Sequence, residues 1–127
     1  MSDKALIEAA LNAREQAYAP YSRFRVGAAL LTADDKVYTG CNVENASFSM
    51  TICAERVAVF KAVSDGKFDF KTIAVAADGE HFCRPCGACL QVLAEFGLDT
   101  RVLMANEKGL FEERTLAELL PAAFQLI

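Results

Sequence analysis

Residues 53–105 read CAERVAVFKAVSDGKFDFKTIAVAADGEHFCRPCGACLQVLAEFGLDTRVLMA, and this stretch decides the fold. Its first part, residues 53–63, has only Glu55, Arg56 and Lys61 as charges, the pattern of a helix covered on most sides. Residues 72–77, TIAVAA, are a short apolar run of the kind that forms a buried strand. The loop DGEHFCRP then delivers Cys86-Gly-Ala-Cys89 into a second helix, with Leu90, Leu93 and Ala94 on one face and Gly97 as its stop. Arg101–Ala105 is a further buried strand. Helices between these strands imply crossovers, hence a partly parallel sheet with helices on its faces.

The flanks complete the order. Residues 3–18 place Leu6, Ile7, Ala10, Leu11, Ala17 and Tyr18 on one stripe, which predicts an amphipathic helix with Ser2 as N-cap and Pro20 beyond its end. Val26–Thr32 and residues 36–41, joined by Ala33-Asp34-Asp35, predict a β-hairpin. Residues 42–52, NVENASFSMTI, are polar and irregular, as expected of a segment that lines a site. Residues 110–114 give a last strand, and residues 116–120 a short helix ended by Pro121. The order α-β-β-α-β-α-β-β-α predicts one α/β domain over residues 1–127, a three-layer α/β/α sandwich around a mixed five-stranded sheet.

With 127 residues, 54% hydrophobic and 24% charged, the chain has the composition of a globular protein rather than a disordered or collagen-like one. No apolar run approaches the ~18 residues of a membrane helix, so no membrane association is expected. The first residues, MSDKALIEAA, lack the layout of a signal peptide, and a cytoplasmic location is expected. A net charge of -4 with no basic run argues against nucleic acid as a partner. A small molecule is the expected partner.

Five cysteines stand at 41, 53, 83, 86 and 89. In a reducing compartment such clustering reads as metal or redox chemistry rather than disulfides. Cys86-x-x-Cys89 at a helix start is by itself equally a zinc half-site or a redox pair. Cys53 at a second helix start offers a third thiolate, and three protein ligands leave the fourth tetrahedral position of zinc open, the mark of a catalytic site. Glu55, two residues past Cys53, could then move protons without being a ligand. Three thiolates leave zinc with excess negative charge, and Arg56 is the compensating cation, its alternative being an ordinary surface charge. Cys83 is either a spare thiol or a fourth ligand that would close the site. Cys41 reads as a small buried hydrophobe, and His81 as a solvated loop residue.

Together, YSRFRVGAAL, GCNVENASFSMTICAER and PCGACLQVL resemble the cytidine deaminases, in their small homotetrameric form with three cysteine ligands. The likeness runs from about Tyr18 to Phe124. It implies one Zn²⁺ per subunit on Cys53, Cys86 and Cys89, Glu55 as the proton carrier, and hydrolysis of cytidine and deoxycytidine to uridine and deoxyuridine with loss of ammonia, in pyrimidine salvage. It further implies that Asn42 and Glu44 bind the ribose hydroxyl, that Ala54 presents backbone to the pyrimidine, and that Phe24 packs on the substrate. Arg56 would hydrogen-bond the ligand sulfurs, and Phe124 would reach a neighbouring subunit's site. Without the likeness, Asn42 and Glu44 read as turn caps, and Phe24 and Phe124 as core aromatics. Phe48 stands where some members have tyrosine, which removes any hydroxyl contact there. Two other functions are open on the residues alone: deamination of another aminopyrimidine, free or within a nucleic acid, and a non-enzymatic module with a closed four-thiolate zinc site.

Overall fold

The computed structural model describes residues 1–126; Ile127, the last residue of the expected domain, lies outside them. Helix α1 (Asp3–Arg14) precedes a hairpin of β1 (Val26–Thr32) and β2 (Val37–Cys41). Then come α2 (Ala54–Ser64), β3 (Phe70–Ala77), α3 (Gly87–Ala94), β4 (Arg101–Ala105), β5 (Phe111–Thr115) and α4 (Leu116–Leu119). The order matches the one read from the sequence, with a single 3₁₀ turn at Phe48–Met50 added.

The strands form one sheet in the order β2-β1-β3-β4-β5. Only β3 and β4 are parallel, and α3 makes the crossover between them. Alternation along the strands splits the core in two. On one face Leu6, Ile7 and Ala10 of α1 meet Ala29, Ala74, Ala76 and Leu103. On the other, Ala58, Val59, Leu90, Leu93 and Leu116 cover Leu30, Ile73, Val75 and Met104. The expected three layers are present, one helix on one side and three on the other.

Two local expectations are corrected. Helix α1 ends at Arg14 rather than at residue 18, although Ser2 caps it as expected, its Oγ accepting from the Ala5 amide at 3.1 Å. The chain leaves the helix early because Tyr18 is held in extended pairing. Its amide donates to the Asn42 carbonyl at 3.0 Å, and its carbonyl accepts from the Glu44 amide at 2.8 Å. Helix α2 is covered on one face only: Ala54, Glu55, Ala58, Val59 and Ala62 are buried, while Phe60 stands exposed.

Helix α2 lies so close to the sheet that no side chain fits beneath it at Gly40. A Cβ there would stand 2.5 Å from the Ala54 carbonyl oxygen and 2.6 Å from the Ala58 amide. Gly27 performs the same service for α1, where a Cβ would come within 1.9 Å of the Ala10 oxygen. Gly40→Ala should therefore destabilise the fold by about 3 kcal/mol, the upper end of ordinary overpacking, read as a fall in the urea midpoint.

Candidate active site

The site lies where β3 and β4 end and the N-termini of α2 and α3 converge. Cys53 and Cys86 are the N-cap residues of these helices, both in extended backbone, and Cys89 is buried in the first turn of α3. Neither cap makes the side-chain hydrogen bond that a serine or aspartate would make there. The sulfurs are turned toward one another instead: Cys53 Sγ lies 3.9 Å from Cys86 Sγ, which lies 3.5 Å from Cys89 Sγ. All three fall within 4.8 Å of one another. Tetrahedral zinc with Zn–S bonds of about 2.3 Å needs sulfur separations of about 3.8 Å, so the three residues fit the ion.

Electrostatics around the sulfurs agrees with that use. The Cys53 thiol is held down at about 5, first by the hydrogen bond from Cys89 and then by Arg56, while Cys89 is pushed up as the proton-holding partner. Arg56 Nη2 donates to Cys53 Sγ at 3.5 Å, and among the described residues it has no carboxylate partner. The surface-charge alternative for Arg56 does not describe this geometry. Glu55, 4% exposed, is pushed up to about 7, chiefly by burial and then by the charge of Cys53. A carboxyl poised there can both take and return a proton near neutrality.

Beside the sulfurs is a cavity of about 270 Å³ whose walls include Phe24, Asn42, Glu44, Ala54 and Glu55. Cys83 also lines it, but stands outside the three-sulfur group, and burial pushes its thiol up to about 12. His81 is exposed in its loop, as expected, and Cys41 is half-buried at the end of β2. Phe124 does not line this cavity; it is 72% exposed, and its carbonyl accepts from Gln91 Nε2 at 3.0 Å.

Asn42 and Glu44 each hold a neighbouring segment in place. Asn42 Oδ1 accepts from the Val26 amide at 2.9 Å, and Nδ2 donates to the Phe24 carbonyl at 2.8 Å. The Glu44 carboxylate accepts from the amides of Tyr21 (2.9 Å) and Ser22 (3.1 Å) and from the Ser22 hydroxyl. Ser22, Thr51 and Arg84 line the cavity as well and escaped the sequence reading. Ser22 had a local signal, a Ser-x-Phe turn in which the Phe24 amide donates to Ser22 Oγ at 3.0 Å. Asp78 had none: it reaches Arg25 across 53 residues, accepting from its amide, Nε and Nη2 at 3.1–3.2 Å.

The family model of the cytidine and deoxycytidylate deaminase zinc-binding region matches residues 1–105. The chain belongs to this zinc-binding deaminase family. Among its members it is 57% identical over 125 residues to a cytidine deaminase of Sporosarcina psychrophila, covering 98% of this chain and 92% of that one. Over the same length it is 54% identical to a cytidine deaminase of Halalkalibacterium halodurans, covering 98% and 95%. The crystal structure of cytidine deaminase from Burkholderia pseudomallei superposes with a TM-score of 0.94 at 50% identity, over 98% of this chain and all of that one.

Three sulfurs in one group with Cys83 outside it give a direct expectation. Cys83→Ser should retain zinc at about one ion per chain, as an open three-ligand site requires. Cys86→Ser should lose most of it. Metal analysis of the purified variants reads both.

Proposed function

We propose that this chain is a cytidine deaminase that converts cytidine and deoxycytidine to uridine and deoxyuridine with release of ammonia, serving pyrimidine salvage in the cytoplasm as a homotetramer. The observation that carries the reading is the convergence of Cys53, Cys86 and Cys89 beside the buried Glu55 carboxyl. Cys53, Cys86 and Cys89 would hold zinc, which when bound would lower the pKa of water from about 15.7 toward about 7 and so supply a nucleophile at neutral pH. Glu55 accepts the proton that the attacking water gives up and delivers it to N3 of the pyrimidine. Once oxygen has bonded to C4, Glu55 takes the second proton from the new C4 hydroxyl and gives it to the 4-amino group; the C4–N bond breaks, ammonia leaves and the C4 carbonyl forms. Arg56 offsets part of the thiolate charge, which would otherwise weaken the ion as a Lewis acid.

The remaining walls account for a nucleoside. A carboxylate offers about four acceptor sites, and three on Glu44 are taken by Tyr21 and Ser22, which leaves room for a ribose hydroxyl. Asn42 likewise has one Nδ2 proton beyond its bond to Phe24. A free base would leave the remaining Glu44 acceptor site and the second Asn42 Nδ2 proton without a partner, which disfavours it. Ala54 lines the cavity and would present its backbone to the pyrimidine, and the half-exposed Phe24 ring offers a packing surface for the substrate.

Self-association is supported by apolar side chains without cover in one subunit: Phe48, Met50, Phe60 and Phe124 are 74%, 65%, 46% and 72% exposed. In the tetramer Phe124 closes a neighbour's site.

Purified protein incubated with cytidine should yield uridine and ammonia, and with cytosine no uracil. No product from zinc-loaded, folded protein would reject the reading. Glu55→Gln should keep the fold and the zinc yet lose about 10²–10⁴-fold in kcat, the usual worth of a positioned proton carrier; turnover near that of the native protein would remove Glu55 from the role. Light scattering should give the mass of four chains.

A further inference from the structure

The segment that carries Cys86 to the site, residues 78–86, has no helix or strand of its own. It lies along the turn between β4 and β5, and a residue with no contact to the sulfurs joins the two. Asn106 is 5% exposed. Its Oδ1 accepts from the amides of Lys108 (3.0 Å) and Leu110 (3.1 Å), which closes the turn. Its Nδ2 donates to the Glu80 carbonyl at 3.0 Å. The turn is complete without that last bond, which serves only the segment.

Further ties run along the same line. The Glu107 amide donates to the Gly79 carbonyl at 3.1 Å, and the Gly79 amide donates to Glu107 Oε2 at 3.0 Å. The Cys83 amide donates to the Ala105 carbonyl at 3.1 Å. The Arg84 guanidinium donates to Glu112 of β5 at 2.6 and 3.1 Å. Of these, only the Asn106 side chain is buried with both ends of its amide committed.

We propose that Asn106 is a positioning residue for the metal centre: by holding the Glu80 carbonyl against the 106–110 turn, it fixes the segment that sets Cys86 opposite Cys53. The proposal rests on the reading that Cys53, Cys86 and Cys89 hold zinc. Asn106→Asp isolates it. The carboxylate keeps both acceptor bonds of the turn, loses the donor to Glu80, and sets an oxygen against the Glu80 carbonyl oxygen.

The readout is the rate at which the zinc-loaded protein gives up its ion to excess chromophoric chelator, under conditions where circular dichroism shows the fold intact. Outer-shell changes usually cost 10–100-fold in metal affinity, and at this distance Asn106→Asp should speed release about tenfold. Thr32→Val is the comparison. Thr32 is another buried polar residue closing a hairpin turn, accepting from the Lys36 amide at 3.0 Å, but at the opposite end of the sheet. It should lower stability and leave zinc release at the native rate. Should Asn106→Asp fail to fold, Glu107→Ala removes the exposed side-chain acceptor of the Gly79 amide, leaves the backbone bond to the Gly79 carbonyl, and should still speed release severalfold. Release at the native rate, or equal acceleration in Thr32→Val, overturns the proposal while the zinc site stands. Native protein purified without zinc overturns the site reading beneath it.

Discussion

How closely helix α2 lies on the sheet governs the rest of this molecule. At Gly40 the helix backbone occupies the space a side chain would need, and Cys53, Ala54, Glu55 and Arg56 all sit at the end of the helix that rests there. A zinc–sulfur bond length is defined to about 0.2 Å, so a displacement that a core would absorb elsewhere would be felt in full by sulfurs that hold the ion. The apolar contact that seats α2, through Ala58, Val59 and Ala62, is thereby also the contact that aims a thiol and a carboxyl. Packing and chemistry here share one set of coordinates.

Burial of Glu55 follows from the same seating. An unpaired carboxylate would be costly in such a place, and the protein responds by raising the affinity of the group for its proton. The hydrogen bond from Cys89 and then the Arg56 guanidinium work in the opposite sense on Cys53. Within one turn of helix, then, a thiol is made acidic and a carboxylic acid is made basic. Environment outweighs the covalent difference between the two groups and reverses their order.

Much of this is legible in the sequence. The order of elements follows from periodicity: an apolar run such as residues 72–77 has few options between two helices, and Cys86-Gly-Ala-Cys89 at a helix start leaves both sulfurs near one point. What escaped was fixed by partners distant in sequence. Tyr18 continues the helical stripe, yet its backbone is claimed by Asn42 and Glu44. The helix at residues 53–63 looked covered because its charges are few, whereas Phe60 in fact faces outward. Asp78 and Asn106 look like ordinary loop residues, because the groups they hold, Arg25 and Glu80, cannot be paired with them from spacing alone. Glu44 stands out in the sequence by its likeness to a ribose-binding residue, whereas its grip on Tyr21 and Ser22, 23 and 22 residues away, leaves no mark there.

The parallel pairing of β3 with β4 has a consequence for how the protein is made. Cys53 leaves the ribosome well before Cys86 and Cys89, and the strand that flanks their loop, β4, follows later still. Parallel strands close through a long connection and form slowly. Only when β4 has paired and α3 has folded back do the three sulfurs share one point. A metal centre on these three sulfurs thus depends on two helix starts, 33 residues apart in the chain, being seated on one sheet.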